Sequence, residues 1–132
     1  MAGGTTKQAE MKDAKPGSYI MIDGEPCKVL NMTKSKPGKH GAAKVRLDAM
    51  GLFDNKKRAL MNPASANIEV PVIDKNKGQV INVSGDTVNL MDLDSYETFD
   101  VMIPEDLKGK LQPGTEVLYW QFGQKRLIKQ IS

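Results

Sequence analysis

"SYIMIDGEPCKVLNMT", Ser18 to Thr33, decides the fold, because two β-type runs flank the dipeptide Asp23-Gly24. Both central positions of a tight type I′ hairpin turn need positive φ, which Asp-Gly accepts and most pairs resist. Outward from this hairpin the same grammar repeats. "AKVRLDAM", "KKRALM" and "NIEV" follow as short runs bounded by turn residues and complete a first set. Beyond Pro71 come "VID", "QVINV", the turn Ser84-Gly85-Asp86, "TVNLMDL" and "ETFDVMI", then "TEVLYWQF" and "KRLIKQI" across Gly123-Gln124. No stretch keeps helical periodicity over three turns. "PEDLKGKLQPG" is expected to hold one short helical turn, opening at a proline and ending before Gly114.

The chain is therefore expected to be all-β, in two small barrels that meet near Val70 to Val72: residues 1–71 and residues 72–132. Charge supports the division. Residues 1–71 carry twelve Lys/Arg against seven Asp/Glu, net +5, whereas residues 72–132 carry seven against nine, net −2. Closed barrels leave no exposed strand edges, and a five-stranded barrel of the oligonucleotide-binding (OB) type fits the second half. A continuous β-sandwich is the competing arrangement, and the mid-chain Pro71 speaks against it.

Composition narrows the function. With 39% hydrophobic and 27% charged residues, and no apolar run near the roughly 20 residues that span a bilayer, a soluble chain without membrane contact is expected. The N-terminus lacks the apolar core and cleavage site of a secretory signal, and the single Cys27 can close no internal disulfide, so a reducing cytoplasm fits. Between Glu25 and Asp48 lie Lys28, Lys34, Lys36, Lys39, Lys44 and Arg46 with no acid among them. Such a field suits phosphates, although a solvated basic face has the same pattern.

At the centre of that field is "SKPGKHGAAK", Ser35 to Lys44. Pro37 presets the first φ of a tight turn and Gly38 accepts the positive φ that follows, so Lys39 emerges on its far side. Gly41, Ala42 and Ala43 add almost no bulk.

Enzymatic constellations are scarce. His40 is the only histidine, which excludes metal sites built on two or more, and it reads as a loop polar residue. Cys27 and His40 form a nucleophile-base pair only on paper, because Cys27 lies in a strand-like run where an inert buried thiol is usual. Gly38-Lys39 resembles the end of a phosphate-binding loop, but Thr33 stands where glycine is needed and His40 where Ser or Thr is needed. Asp92, Asp94 and Asp100 show no acid/base spacing and are assigned to a solvated face. No catalytic residue, metal or cofactor is expected. Tyr119, Trp120 and Phe122 suggest a stacking platform for bases, yet with few aromatics available the barrel core is the favoured place for Trp120 and Phe122, Tyr119 being left open.

The loop carries a resemblance. "SKPGKHGAAK" is similar to the hypusine loop of the translation initiation factor 5A family in its archaeal form, and the likeness extends through "SYIMIDGEPCKV", "PVIDKNKGQV" and "GDTVNLMDLDSYETFDVMIPE". Bacterial elongation factor P is a more distant relative. The resemblance implies an N-terminal SH3-like barrel followed by a C-terminal OB-fold barrel. It implies that Lys39, between the turn glycine and the histidine, receives an aminobutyl group from spermidine through deoxyhypusine synthase. It further implies a monomeric factor that binds the ribosome beside peptidyl-tRNA and promotes peptide-bond formation at proline-rich stalls. Lys34, Lys36, Pro37, Gly38, His40, Gly41, Lys44 and Arg46 would then flank the ribosomal and transfer RNA. Pro37 and Ala42 stand where the eukaryotic motif has threonine and histidine, and the longer eukaryotic N-terminal arm is absent, both as in archaeal members. Deoxyhypusine and hypusine both remain open as the final form. A generic RNA-binding or ribosomal protein of similar barrels, acting without modification, is the alternative.

Overall fold

In the computed structural model, which describes residues 4–35 and 43–132, the chain divides into two compact units, Gly4–Val72 and Ile73–Ser132. Each is a curled antiparallel β-structure.

In the first unit the Asp-Gly signal becomes a two-residue turn, with Asp23 at φ 53 and Gly24 at φ 77. It joins β2 (Tyr19–Ile22) to β3 (Glu25–Ser35), and β4 (Lys44–Gly51) and β5 (Lys57–Pro63) extend the sheet in the order β2-β3-β4-β5. β1 (Thr6–Glu10) and β6 (Asn67–Pro71) form a separate antiparallel ribbon. Alternation places Val45, Leu47 and Ala49 of β4 inward, where they join Met11, Ile20, Val29 and Ile68 in one buried cluster. Fully burying such side chains contributes about 1.5–3 kcal/mol each, so this cluster is the main force curling the sheet. The architecture is the SH3-like barrel anticipated from the resemblance.

The second unit contains β7 (Asp74–Ser84), β8 (Thr87–Asp92), β9 (Thr98–Met102), β10 (Glu116–Phe122) and β11 (Lys125–Ile131). The sheet order is β11-β10-β7-β8-β9, and β9 approaches β11 to curl the sheet towards closure, as in an OB fold. Val80, Val88, Leu90, Val117, Tyr119 and Ile128 fill it. A single 3-10 turn, Glu105–Leu107, stands where one short helical turn was expected.

The structure departs from the sequence reading in several places. Thr6–Glu10 is a strand although it has no apolar alternation, because β6 supplies its ladder. "VID" is not a strand of its own: Val72 and Ile73 lie outside the strands, and β7 begins at Asp74 and runs unbroken through the polar stretch into "QVINV", held by β10 from Glu116↔Gln79 to Gln121↔Asp74. Gly78 is needed within it, since a Cβ there would come within 2.9 Å of the Leu90 side chain. Asp92 is not on a solvated face. It is buried and accepts hydrogen bonds from the Tyr119 hydroxyl and the backbone N–H groups of Asp94 and Ser95, while Asp94 and Asp100 are exposed. The aromatics also sort differently from the expectation. Tyr119 is in the core and Phe122 is buried, but Trp120 is only partly buried, on the face opposite Tyr119.

Candidate functional site

The β3–β4 hairpin presents the basic field. The two strands stay in register to their last pair, Ser35↔Lys44, so the backbone that enters and leaves the intervening segment is fixed by the ladder. Ala43 is tied in as well, its carbonyl accepting the N–H of Ala64 at 2.9 Å. An irregularity between Val29 and Asn31 shifts the register midway along the stem, a device that bends and twists a strand.

Facing residues in an antiparallel ladder project to the same side. Lys34 pairs with Val45, whose side chain is buried in the core, whereas Lys44 and Arg46 occupy the alternate, outer positions of β4. The stem therefore carries cations on both faces: Lys34 on one, Lys44 and Arg46 on the other. All three are exposed. They are not electrostatically equal, because Arg46 Nη2 lies 3.4 Å from Asp48 Oδ1. Beside Arg46 in the ladder is Met61, itself 57% exposed, an apolar neighbour that the charge pattern gave no reason to expect.

Lys36, Pro37, Gly38, Lys39, His40 and Gly41, the other residues assigned to the site from the sequence, lie outside the described residues. The structure places Lys34, Lys44 and Arg46 on the stem that leads to them.

Elsewhere the ionisable side chains serve the fold. Arg58 donates to both carboxylate oxygens of Asp54, at 3.1 and 2.8 Å, and its Nη1 reaches Cys27 Sγ at 4.0 Å. The Arg58 hydrogen bonds, with the Lys56 N–H, hold the Asp54 carboxyl down at about 2. Burial pushes the Cys27 thiol up despite the opposing arginine, which makes it a poor nucleophile. Among the described residues no three His, Cys, Asp or Glu side chains gather into a set that could hold a metal ion, and no helix is long and apolar enough to cross a membrane.

Fold and site together define a two-barrel protein in which an SH3-like unit carries a basic hairpin and an OB fold follows it. Residues 4–66 match the family described as translation initiation factor 5A-like, N-terminal, and residues 72–131 match eukaryotic elongation factor 5A hypusine, DNA-binding OB fold. Translation initiation factor 5A of Archaeoglobus fulgidus is 45% identical, the match covering 96% of this chain and 98% of that protein. The Methanopyrus kandleri protein of the same name is 52% identical over 92% of this chain and 91% of its own length. The solved structure of the Methanococcus jannaschii factor superposes with a TM-score of 0.88 at 44% identity, over 96% of this chain and 95% of that one. The chain belongs to the translation initiation factor 5A family.

Proposed function

We propose that this protein is a translation factor activated by covalent extension of Lys39, which binds the ribosome beside peptidyl-tRNA and promotes peptide-bond formation where proline-rich sequences stall it. The observation that carries the reading is the β3–β4 stem, which stays paired to Ser35↔Lys44 around a sequence whose lysine is framed by Pro37-Gly38 and by Gly41-Ala42-Ala43.

The chemistry follows from what the stem and the segment supply. A lysine that accepts an aminobutyl group must enter the active site of deoxyhypusine synthase and lose a proton there, against an ordinary pKa of about 10.4; its new C–N bond replaces the one that joined the aminobutyl arm to the rest of spermidine, which leaves as 1,3-diaminopropane. Small neighbours let the enzyme close around it. The product is a longer side chain with a second amine, a cationic probe thin enough to follow an RNA cleft. Lys34, Lys36, Lys44 and Arg46, with His40, would hold the base of the probe against phosphates. Peptide-bond formation depends on holding two reactants in line, and proline's locked φ fits that alignment poorly. A probe that steadies the acceptor end of peptidyl-tRNA restores the geometry without contributing an acid, base or nucleophile. The protein thus acts as a cytoplasmic, monomeric binding factor and not as an enzyme, with spermidine as donor to the modification and no cofactor of its own.

The test is replacement of Lys39 by arginine in cells that depend on the factor. Arginine keeps the charge but offers no primary amine, so Lys39→Arg should fold normally and fail to support synthesis of proline-rich proteins. A factor acting unmodified would tolerate the change.

A further inference from the structure

The outer face of the β3–β4–β5 sheet carries large apolar side chains where a solvated face would carry polar ones. Facing residues share a side of the ladder, so the register gives three rows on this face: Lys28–Met50–Lys57, Asn31–Asp48–Ala59 and Thr33–Arg46–Met61. Leu30 is the residue that the irregularity between Val29 and Asn31 leaves without a facing residue, and it is 47% exposed. Met61 is exposed as well, and Ala59, two positions away on β5, is too small to fill the space beside it. The result is an open groove of about 400 Å³ lined by Leu30, Asp48, Ala49, Lys57, Arg58 and Ala59. Exposed apolar groups gathered in this way and rimmed by charge mark a surface that another molecule covers.

We propose that this face docks a short amphipathic helix of an acidic protein, its apolar stripe seated across Leu30, Ala59 and Met61 and its carboxylates paired with Lys28 and Lys57. Charge complementarity sets the sign of the incoming segment. Lys28 and Lys57 flank Met50, both are exposed, and among the described residues neither enters a salt bridge. The other charges here are already matched, Arg46 with Asp48 at 3.4 Å and Arg58 with both Asp54 oxygens. Nucleic acid fits less well. Asp48 stands in the middle row and repels phosphate, and no aromatic side chain in these rows offers a base a stacking surface. Methionine suits a helical ligand, because its flexible thioether adapts to the apolar side chain it meets. The dimensions agree: Leu30 and Met61 lie two strands and one row apart, about 12 Å at ordinary sheet spacings, and seven residues of helix rise about 10.5 Å. The contact uses the part of the stem away from Lys39 and is independent of the Lys39 reading.

The test is binding of the intact protein to a fluorescein-labelled synthetic peptide of about 16 residues, with leucine along one helical stripe and glutamate and alanine elsewhere. Anisotropy should show saturable binding at least about tenfold tighter than that of a peptide of the same composition with the stripe scrambled. Leu30→Ser with Met61→Ser should weaken it about tenfold, and Lys28→Ala with Lys57→Ala should weaken it at low salt more than at high salt. Met102→Ser, which changes a similarly exposed methionine of the second unit, should leave it within about twofold. With methionine methyl groups labelled with carbon-13, the Met61 signal should shift on adding peptide and the Met102 signal should not. Lys39→Arg should bind the peptide as the unchanged chain does, so this contact and the Lys39 reading can fail separately. No binding, equal binding of the scrambled peptide, a midpoint indifferent to Leu30→Ser with Met61→Ser, or a shift at Met102 in place of Met61 would each overturn the proposal. So would a single-stranded RNA that displaces the peptide and depends on the same two side chains.

Discussion

The Tyr119 hydroxyl donates a hydrogen bond to Asp92 Oδ2 inside the second barrel, joining β10 to the end of β8 across 27 positions of sequence. Asp92 Oδ1 accepts the N–H groups of Asp94 and Ser95 and so shapes the turn into β9. Burial works against the charge on Asp92, but the Tyr119 hydroxyl and the two backbone donors outweigh it and leave the carboxyl below its usual range. Tyr119 is pushed the other way, by burial first and then by the carboxylate.

The pH dependence follows from these directions. A carboxylate with a depressed folded pKa contributes stability that is present above its unfolded value, about 3.9, and is lost as pH falls through the folded one. A tyrosine with a raised folded pKa contributes stability that is full below about pH 10 and lost as pH climbs through the folded value. Asp92→Asn should destabilise the second unit by about 1.5–3 kcal/mol at neutral pH, the worth of charge-assisted hydrogen bonds, and flatten the loss of stability below about pH 4. Urea melts at pH 7 and pH 3 check this. An equal loss at both pH values would show that the carboxylate charge is irrelevant.

The hairpin turns were legible because their chemistry is local. Asp23-Gly24 and Gly85 take the positive φ that their residue types favour. β1 was not legible, since "TKQAE" has no alternation and becomes a strand only through pairing with β6. The polar "DKNKG" at the start of β7 read as an interruption for a similar reason: its ladder partners on β10 are forty residues away in sequence and leave no local trace. Trp120 and Asp92 were misplaced because parity along a strand separates two faces without saying which is inside. The neighbours decide that, and here Val117 and Tyr119 take the core. At the candidate site the charges of Lys34, Lys44 and Arg46 were plain, but their division between two faces depends on a register that the irregularity near Asn31 resets.

That division makes the flanking cations separable. Lys44→Ala should lower the salt slope of ribosome binding by about 0.7 to 0.9. Arg46→Ala should lower it less, because Asp48 already sits beside that guanidinium. Binding isotherms over a series of salt concentrations distinguish them, and a larger slope change for Arg46 would contradict the assignment.

Each unit has its own buried cluster, Leu47 among the first and Leu90 among the second. We expect residues 1–71 and 72–132 to fold separately, with modest stability because cores of this size are small. Leu47→Ala should cost the first unit about 2–5 kcal/mol and leave the second unchanged, and Leu90→Ala the converse. Amide NMR spectra of the two halves should overlay on that of the whole chain. Collapse of both halves would show a single cooperative core.

The central claim is that Lys39 is the acceptor of the activating group. Incubation of the intact protein with spermidine and an active deoxyhypusine synthase supplied with its own redox cofactor, followed by intact mass and peptide mapping, tests it most directly. The account predicts the addition of one aminobutyl group, mapped to Lys39 and absent from Lys39→Arg, with Lys34, Lys36 and Lys44 unmodified. An unchanged mass, or the group on any other lysine, would contradict it.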